Sequence, residues 1–472
     1  MGTVCGEQVA QFPPAGEQTF APPPLVVDLD GTLVKTDLLI ESLFALLRKE
    51  PRCLFLLPVW LAHGKAWLKH EVARRVSPDV VTLPWRTELI EDLRRQRSEG
   101  RSLVLATGSD VRIARQAAEH LKLFDLVLAS DGITNLCGEA KRRCLVNRFG
   151  EKAFDYAAGG GRADRAVWKS ARKAVLTAPE PQGAANRLKA LRPQHWLKNL
   201  LVFVPLIAAH RFSNLALIEK SLLAFLALGC CASAGYLFND LIDLESDRHH
   251  PQKRFRALAA GVVPLSYALL MIPSLVMLGC LAGALVSPML FAILLIYFAM
   301  SAAYTLHIKR VSVLDVLFLA GLYTLRIMTG SAATGLWPSH WLLAFSIFLF
   351  FSLALVKRYA ELVIVQRTNG DGAKARGYEL SDRELLAMMG TASGYLAVLV
   401  LALYIATDKA QALYSIRELL WLLCPLLLYW ISYVWLTAHR GKMPGDPVDF
   451  ATSDRTSRIL ILLMAATAIV AL

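Results

Sequence analysis

Long apolar runs dominate the second part of the chain and constrain its fold more than any other feature. Residues 196–472 consist mostly of such runs joined by short polar segments, whereas residues 1–190 have the mixed composition of a water-soluble region. A helix needs about 20 apolar residues to cross a bilayer. The pattern therefore predicts an all-α polytopic membrane bundle of about nine transmembrane helices. The predicted spans are 197–211, 218–238, 265–286, 288–306, 312–333, 338–356, 388–407, 418–437 and 456–472.

The basic residues between the spans predict the orientation of the bundle. Starting after the second span, alternate joints carry sixteen Lys and Arg residues, and the opposite joints carry four. Cytoplasmic loops of membrane proteins carry an excess of Lys and Arg. The richer side, with the N-terminal region, is therefore predicted to be cytoplasmic. No basic arm or aromatic-basic array points to nucleic acid, although the formal net charge is +13.

Apolar runs that end in polar turns organise the water-soluble region. One precedes Asp28-Leu29-Asp30-Gly31-Thr32, a second ends at Thr107, and a third ends at Ser130, with helical patterns between them. This alternation predicts a doubly wound α/β domain whose polar residues lie at the carboxyl edge of a parallel sheet, where ligands bind. The predicted boundaries are a disordered lead-in at 1–24, the α/β domain at 25–180 with a helical cap at 38–83, and a linker at 181–191.

An acidic cluster, Asn239-Asp240-Leu241-Ile242-Asp243-Leu244-Glu245-Ser246-Asp247, follows the second predicted span. On a helix, Asp240, Asp243 and Asp247 share one face, and Asn239 shares a face with the last two. Like charges on one face repel unless a cation neutralises them. Acidic residues inside a membrane cost free energy, so a cluster of them at the end of a span indicates a function. Mg²⁺ prefers oxygen ligands and often shares its shell with substrate phosphates. The cluster therefore predicts a Mg²⁺-diphosphate site, with the three aspartates as metal ligands and Asn239 assisting.

Basic and aromatic residues collect on the same predicted side of the membrane. Lys253, Arg254 and Arg256 follow the acids and are predicted to clamp phosphate, with ordinary loop charge as the alternative. Asp315 and Arg326 lie in one predicted span, and both are expected to face the bundle interior. Each single residue could instead be an interfacial anchor. The further candidates for substrate binding are Lys198, Tyr304, Lys309, Arg310, Asp315, Arg326 and Lys357.

The nine predicted spans, the pattern Asn239-Asp240-x-x-Asp243-x-x-x-Asp247 and the basic stretch Lys253 to Arg256 resemble the UbiA superfamily of intramembrane prenyltransferases. The resemblance covers about 190–472 and implies Mg²⁺ and a diphosphate bound in a helical bundle open to lipid. The second acidic motif usual in that family is reduced here to Asp315, beside Lys309 and Arg310. That departure resembles the decaprenyl-phosphate phosphoribosyltransferase branch. Segments that also look like this branch are 192–199, 357–361 and 446–450.

This resemblance implies Mg²⁺-dependent transfer of phosphoribose from phosphoribosyl diphosphate to a polyprenyl phosphate at the cytoplasmic membrane face. One alternative is a UbiA-type prenyltransferase that moves a prenyl group from a prenyl diphosphate to an aromatic or other small acceptor. Another is a non-catalytic membrane scaffold or transporter. A homo-oligomer is compatible with each of these functions.

A second resemblance concerns the α/β domain. Asp28-Leu29-Asp30-Gly31-Thr32 is similar to the first motif of the haloacid dehalogenase superfamily, and Thr107, Lys141 and Asp164 fit its later motifs. This implies Asp28 as nucleophile, Asp30 as general acid/base, Thr107 and Lys141 on the phosphoryl group, and Mg²⁺ held by Asp28, Asp30 and Asp164. Gly160 stands where another acidic metal ligand is expected. Three interpretations stay open: a phosphatase acting on the lipid-linked product, a degenerate regulatory or scaffold domain, and mere capping of a strand end.

Overall fold

The computed structural model describes residues 22–177, 183–368, 377–443 and 445–472. The chain forms two compact units, residues 1–191 with 236–272, and residues 192–235 with 273–472. Residues 1–21 of the predicted lead-in and residues 181–182 of the predicted linker lie outside the described residues. The rest of the predicted linker contains a helix, Ala184–Ala190.

The first unit contains five strands and most of the short helices. The strands are β1 Leu25–Val27, β2 Leu103–Asp110, β3 Leu126–Ser130, β4 Asp155–Ala158 and β5 Ala174–Leu176. The helices before the second unit are α1 Leu38–Lys49, α2 Leu57–Ala62, α3 Lys65–Arg75, α4 Thr87–Ser98, α5 Val111–Leu121, α6 Glu139–Phe149, α7 Asp164–Ser170 and α8 Ala184–Ala190. The remaining helices are α9 Val204–Ala208, α10 Leu215–Ile242, α11 Leu244–His249, α12 Leu265–Val286, α13 Pro288–Leu306, α14 Leu314–Thr334, α15 His340–Thr368, α16 Arg383–Ile405, α17 Asp408–Leu413, α18 Arg417–Leu420, α19 Leu423–His439, α20 Pro447–Ser453 and α21 Arg455–Val470.

The five strands form one parallel sheet in the order β3-β2-β1-β4-β5, which confirms the predicted α/β fold. Side chains of β1 alternate between the two faces, so Val27 packs in one apolar core and Val26 in the other. Both faces are covered, as is usual for a parallel sheet. Because β1 is the central strand, Asp28 follows it at the middle of the carboxyl edge.

Residues between β1 and β2 form a helical insertion made of α1, α2 and α3, with short 3₁₀ segments at Pro51–Phe55 and Val80–Thr82. It has a small apolar core of its own that includes Trp60, Leu68 and Val72. This is the region that the sequence predicts as a helical cap.

Seven helical segments in the described part of the chain are long and apolar enough to cross a membrane. They are Leu215–Ile242, Leu265–Val286, Pro288–Leu306, Leu314–Thr334, His340–Arg367, Leu380–Ile405 and Arg417–His439. The predicted number of nine is not confirmed. The first predicted span is a 3₁₀ segment, Pro193–Phe203, followed by the five-residue α9, where Pro205 supplies no backbone N–H. The last predicted span lies in α21, which has 16 residues.

The largest apolar core of the second unit joins α14, α15, α16 and α19. Gly390 and Gly394 lie four residues apart on α16, so they share one face of that helix. A Cβ at Gly390 would lie 2.0 Å from the ring of Trp435, and one at Gly394 would lie 2.7 Å from Ile431. Small residues let transmembrane helices approach closely, so this pair sets the distance between α16 and α19.

Candidate functional site

The acidic cluster spans the end of α10 and the start of α11. Asn239 and Asp240 lie in the last turn of α10, and Asp243 is the residue between the two helices. The acids are therefore not on one uninterrupted helix. The backbone nevertheless keeps the helical repeat, because the amide of Asp243 donates to Asn239 at 2.9 Å and that of Asp247 donates to Asp243 at 2.8 Å.

Arg256 joins two of the predicted metal ligands. Its Nη1 atom lies 3.3 Å from Oδ1 of Asp240 and 2.5 Å from Oδ2 of Asp247. Both aspartates are buried. Burial raises the pKa of Asp247, and the charges of Arg256 and then Lys253 oppose that shift. Two carboxylates thus converge on one position that a cationic nitrogen occupies.

This geometry fits a divalent cation only in part. Among the residues described, no group of three or more His, Cys, Asp or Glu side chains could hold a metal ion. A cation at the Nη1 position of Arg256 would take carboxylate oxygens from Asp240 and Asp247. Mg²⁺ is commonly bound by one or two carboxylates, with substrate phosphates and water completing its shell. The pair therefore fits a Mg²⁺ that is shared with a phosphorylated ligand. Arg254 lies outside this pair, is exposed, and stacks on Phe255.

The α/β domain holds the segment that carries these acids. Arg248 of α11 forms an ion pair with Glu41 of α1, and both side chains are almost fully buried. The Nε atom of Arg248 also donates to the carbonyl of Ala259 at 3.0 Å. A second contact joins Nε2 of His249 to Asp79 at 3.2 Å. Two residues before Arg256 are thus attached to the helical insertion of the α/β domain, and Arg248 in turn holds Ala259, which lies beyond Arg256.

In the second unit, Arg358 is the centre of a buried polar network. Its guanidinium donates to Asp315 at 2.5 Å, to Glu361 at 2.7 Å and to the hydroxyl of Tyr304 at 2.8 Å. The other oxygen of Asp315 accepts a hydrogen bond of 2.5 Å from Tyr378. Asp315 is fully buried and Arg358 is 1% exposed. The network ties together the end of α13, the start of α14 and the middle of α15.

Two lysines predicted to bind substrate share one carboxylate. The Nζ atoms of Lys198 and Lys357 lie 2.8 and 3.3 Å from Oδ2 of Asp446. Burial alone would raise the pKa of Asp446, but the charges of Lys357 and Lys198 outweigh it and hold that pKa well below its usual range. Oδ1 of Asp446 caps α20 by accepting from the amide of Val448 at 3.0 Å. The two ammonium groups are therefore fixed beside a carboxylate that stays ionised.

Arg326 faces the interior of the bundle, as the sequence predicts. It donates to Oδ1 of Asn199 at 3.1 Å and to the hydroxyl of Tyr297 at 2.9 Å, and it packs over the ring of Tyr323. Asn199 is 1% exposed, and its Nδ2 atom has no hydrogen-bond partner among the described residues. A buried donor without a partner is costly, so Nδ2 of Asn199 is a group that an anionic ligand could satisfy. Of the two remaining predicted cations, Lys309 is buried and Arg310 is exposed.

In the α/β domain, Lys141 and Tyr156 connect the predicted nucleophile Asp28 to Asp164, a predicted metal ligand. The Nζ atom of Lys141 donates to Asp28 at 2.9 Å and to the hydroxyl of Tyr156 at 3.1 Å. That hydroxyl donates in turn to Asp164 at 2.8 Å. Burial raises the pKa of Asp28 to about 6; Lys141 opposes this shift, whereas Asp164 and Asp30 add to it. The arrangement brings Asp28, Lys141 and Asp164 together at the edge of the sheet.

Asp30 is engaged by donors of the chain itself. Oδ1 accepts from the amide of Leu38 at 2.9 Å, and Oδ2 accepts from the hydroxyls of Ser109 at 2.6 Å and Thr107 at 3.3 Å. Of the three predicted metal ligands of this domain, Asp28 and Asp164 therefore keep more capacity to bind a cation than Asp30.

The residue that replaces the expected acid has a backbone that favours glycine. Gly160 has a φ of +94°, a conformation that residues with side chains rarely adopt. The neighbouring Gly159 is equally constrained, because a Cβ there would lie 2.4 Å from the carbonyl oxygen of Gly31. The position where the resemblance predicts an acid thus lies in a tight turn against the backbone of Gly31.

Sequence reasoning assigned no role to several polar residues of these sites, although Asn199, Arg358 and Asp446 lie in the segments 192–199, 357–361 and 446–450 that it singled out. Arg358 lies beside a predicted ligand, but an isolated arginine near a span end resembles loop charge. The role of Asp446 depends on lysines far away in sequence, and no local pattern reveals it. The missed residues are Tyr156, Asn199, Arg358, Tyr378 and Asp446.

Known proteins resemble both the membrane region and the whole chain. The sequence profile of the UbiA prenyltransferase family matches residues 200–449. The uncharacterized protein y4nM of Sinorhizobium fredii is 36% identical over 475 residues, which cover 95% of this chain and 91% of that protein. The decaprenyl-phosphate phosphoribosyltransferase of Mycobacterium tuberculosis is 33% identical over 303 residues, which cover 62% of this chain and 96% of that enzyme.

Solved structures give a weaker likeness. A structure described for digeranylgeranylglyceryl phosphate synthase has a TM-score of 0.47 and 17% identity, covering 61% of this chain and 97% of that one. A UbiA homologue from Archaeoglobus fulgidus bound to GPP and Mg²⁺ has a TM-score of 0.44 and 16% identity, covering 60% and 99%.

Proposed function

The chain belongs to the UbiA prenyltransferase family, and from this premise we propose that it transfers phosphoribose from phosphoribosyl diphosphate to a polyprenyl phosphate. It is an integral membrane enzyme with seven candidate spans in its described part. The similarity to a decaprenyl-phosphate phosphoribosyltransferase extends over 96% of that enzyme's length. This supports a sugar-phosphate donor rather than a prenyl donor.

The observation that carries the choice of donor is the state of Asp315. In the usual second motif of the family, several acids serve a metal-bound diphosphate. Here the acid at that place is buried and bonded to Arg358 and Tyr378. Its charge is neutralised within the chain, and the neighbouring Lys309 and Arg310 add positive charge. A donor with a 5-phosphate as well as a diphosphate, and an anionic acceptor, suit this excess of cations.

We assign the leaving diphosphate to the acidic cluster. Asp240 and Asp247 would hold Mg²⁺, with Asp243 and Asn239 as further candidates from the family resemblance. The metal would neutralise charge on the diphosphate when bound. Arg256 now bridges the two carboxylates, and with Lys253 it would bind diphosphate oxygens once a metal replaces it between the acids. Such residues contribute to catalysis mainly because they are already positioned to stabilise the charge that develops in the transition state.

The remaining phosphates are assigned to cations of the second unit. Lys198 and Lys357 are held side by side by Asp446, and Asn199 offers an unsatisfied Nδ2 donor next to Arg326. These groups are candidates for the 5-phosphate or the acceptor phosphate. Lys309 is a further candidate.

The proposed reaction forms one bond and breaks one at the anomeric carbon of the donor. The bond to the diphosphate oxygen breaks, and an oxygen of the acceptor phosphate forms the new bond as diphosphate leaves. The acceptor oxygen is already anionic, so no strong general base is needed. Orientation of the two substrates and stabilisation of the leaving charge then supply the rate enhancement. The loop charges support placing this reaction at the cytoplasmic face of a bacterial inner membrane.

For the α/β domain, we propose phosphatase activity on the 5-phosphate of the lipid-linked product. Asp28 would attack phosphorus as nucleophile and break its bond to the ribose 5-oxygen, which would take a proton from Asp30. Water, deprotonated by Asp30, would then attack the aspartyl-phosphate, release inorganic phosphate and regenerate Asp28, while Lys141 neutralises phosphoryl charge in both steps. The ion pair between these residues and their burial support this assignment. The positive φ of Gly160 is compatible with a site that has lost one metal ligand.

Transfer is tested with the full chain in nanodiscs, using donor labelled in its ribose and a polyprenyl phosphate. Labelled ribose should appear in the lipid fraction, and Asp240→Asn should reduce its rate at least about 100-fold. Glu91→Gln, on the exposed side of α4, is the matched control. Absence of a ribosylated lipid, or equal rates for Asp240→Asn and the wild type, would contradict the proposal. Competition by prenyl diphosphate would reveal the alternative donor.

The phosphatase step is tested on the ribosylated lipid itself. Release of inorganic phosphate by the full chain should be lost in Asp28→Asn, whereas formation of the phosphoribosylated lipid should continue in that variant. Persistence of the phosphate in the wild-type product would assign a non-catalytic role to the domain.

A further inference from the structure

The helical insertion of the α/β domain presents an apolar surface that its own core does not use. Its members lie between Leu54 and Leu61, from the end of the 3₁₀ segment Pro51–Phe55 into α2, and we call them the apolar cap surface. Phe55 is 80% exposed, and the others are between 43% and 53% exposed. They are Leu54, Phe55, Leu56, Val59 and Leu61.

The opposite side of the same segment is also apolar. Cys53 and Trp60 are buried in the small core of the insertion, with Leu68 and Val72. A helical segment that is apolar all round belongs inside a protein core or a membrane. Contiguous exposed apolar patches mark sites of interaction with proteins or membranes. The apolar cap surface therefore needs an apolar partner.

The position of the preceding helix indicates which partner this is. Glu41, Ala45 and Arg48 of α1 line one cavity together with Leu241 and Ile242. The latter two are the last turn of α10, a candidate membrane span that ends at Ile242. Helix α1 thus lies beside the end of a candidate membrane span, and the 3₁₀ segment Pro51–Phe55, in which the apolar cap surface begins, follows α1 after one residue.

The charges around the surface are complementary to a bacterial membrane. Residues 49–69 contain Lys49, Arg52, Lys65 and Lys69, against Glu50 as their one acid. Arg52 and Lys65 are exposed at the two ends of the surface. Anionic lipids attract basic residues beside the bilayer, and apolar side chains with a basic border are typical of segments that lie in the interface.

We propose that the apolar cap surface is inserted in the headgroup and acyl boundary of the same bilayer that the chain spans. The insertion is a second membrane contact, separate from the transmembrane helices. It would hold the Asp28 site of the α/β domain next to lipid headgroups, a consequence that rests on the proposed phosphatase function. The membrane contact itself does not depend on either proposed reaction.

The contact is tested with the full chain in nanodiscs of phosphatidylcholine and phosphatidylglycerol, without substrate. A nitroxide is attached at Phe55→Cys, after replacement of Cys5 and the exposed Cys137 by serine. O₂ concentrates in lipid, whereas a nickel chelate stays in water. We therefore expect O₂ to raise the spin relaxation rate of the label at position 55 several-fold more than the nickel chelate does. The control label is Ile133→Cys, an exposed apolar position outside the surface that is 85% exposed. It should relax mainly with nickel.

Relaxation of the 55 label by nickel to the same degree as the 133 label would overturn the proposal. So would a label shielded from both agents that shows dipolar coupling to a second copy, because the surface would then join two protein chains. A second label at Leu61→Cys controls for local effects of the Phe55→Cys substitution. Its relaxation rate should also be raised more by O₂ than by nickel.

Discussion

Glu41 and Arg248 form a buried ion pair that links helix α1 of the α/β domain to the residue that follows Asp247. Arg248 also binds the carbonyl of Ala259, three residues beyond Arg256. One guanidinium therefore fixes the backbone on both sides of the Arg256 bridge between Asp240 and Asp247. The α/β domain contributes to the geometry of the acidic cluster whether or not it has a catalytic activity of its own.

Replacement of Glu41 should impair the proposed transfer reaction from outside the acidic cluster. We expect Glu41→Gln to lower its rate about 10-fold and to raise the Mg²⁺ concentration needed for half-maximal rate, because Asp247 is less well positioned. The measurement is transfer rate against Mg²⁺ concentration in nanodiscs, with Glu91→Gln as control. The exchange of charges in Glu41→Arg with Arg248→Glu should restore part of the rate. Unchanged Mg²⁺ dependence in Glu41→Gln would show that the pair is only structural.

Replacement of Arg256 should separate metal binding from catalysis. In Arg256→Gln the cation between Asp240 and Asp247 is removed, so Mg²⁺ should bind at lower concentration. The maximal transfer rate should fall about 100-fold, because a group that stabilises the leaving diphosphate is lost. Mg²⁺ titration of the transfer rate measures both effects. Arg254→Gln, an exposed arginine two residues away, should change both quantities less. A parallel loss of Mg²⁺ affinity and rate would contradict the bridging role of Arg256.

Replacement of Arg358 should destabilise the membrane domain. Its guanidinium makes three directed hydrogen bonds, to Asp315, Glu361 and Tyr304, which a lysine cannot reproduce. We expect Arg358→Lys to cost about 3 kcal/mol in the free energy of unfolding. Thermal unfolding in detergent measures the loss, and Arg310→Lys, at an exposed position, should change stability by less than about 0.5 kcal/mol. Equal melting temperatures for the two variants would be inconsistent with this network.

The ion pairs of Asp446 should make stability depend on pH in a defined range. Lys357 and Lys198 hold the folded-state pKa of Asp446 below its ordinary value of 3.8. A carboxylate with a lowered pKa contributes stability that is complete above its unfolded pKa and is lost as the pH falls through its folded pKa. At pH 7, Asp446→Asn should therefore lower the free energy of unfolding by about 3 kcal/mol.

The difference in the free energy of unfolding between wild type and Asp446→Asn should stay constant from pH 7 to about pH 5. It should become smaller below pH 4. Thermal unfolding in detergent across this range measures it. Asp449→Asn is the matched control, because its carboxylate is 53% exposed and lies 3.9 Å from Lys198. A difference that stays constant below pH 4 would mean that these ion pairs do not stabilise the fold.

Much of the fold could be predicted from local patterns. The apolar run before Asp28 predicts a buried strand, and β1 is the central strand of the sheet. The α/β fold is confirmed because alternating strands and helices leave a strong period in the sequence. The number of spans was harder to predict, since composition does not show that the first apolar segment folds as a 3₁₀ stretch before Pro205.

The sequence by itself determined that this chain is embedded in a membrane, that an α/β domain precedes the bundle, and which acids cluster at the end of α10 and the start of α11. Those conclusions depend on residues close together in the chain. Only the tertiary structure decided the partners of the charges: Arg256 between Asp240 and Asp247, Arg358 on Asp315, and two lysines on Asp446. A buried charge must find a counter-charge or hydrogen bonds wherever the fold places them. That choice depends on distances across the bundle, which no local pattern records.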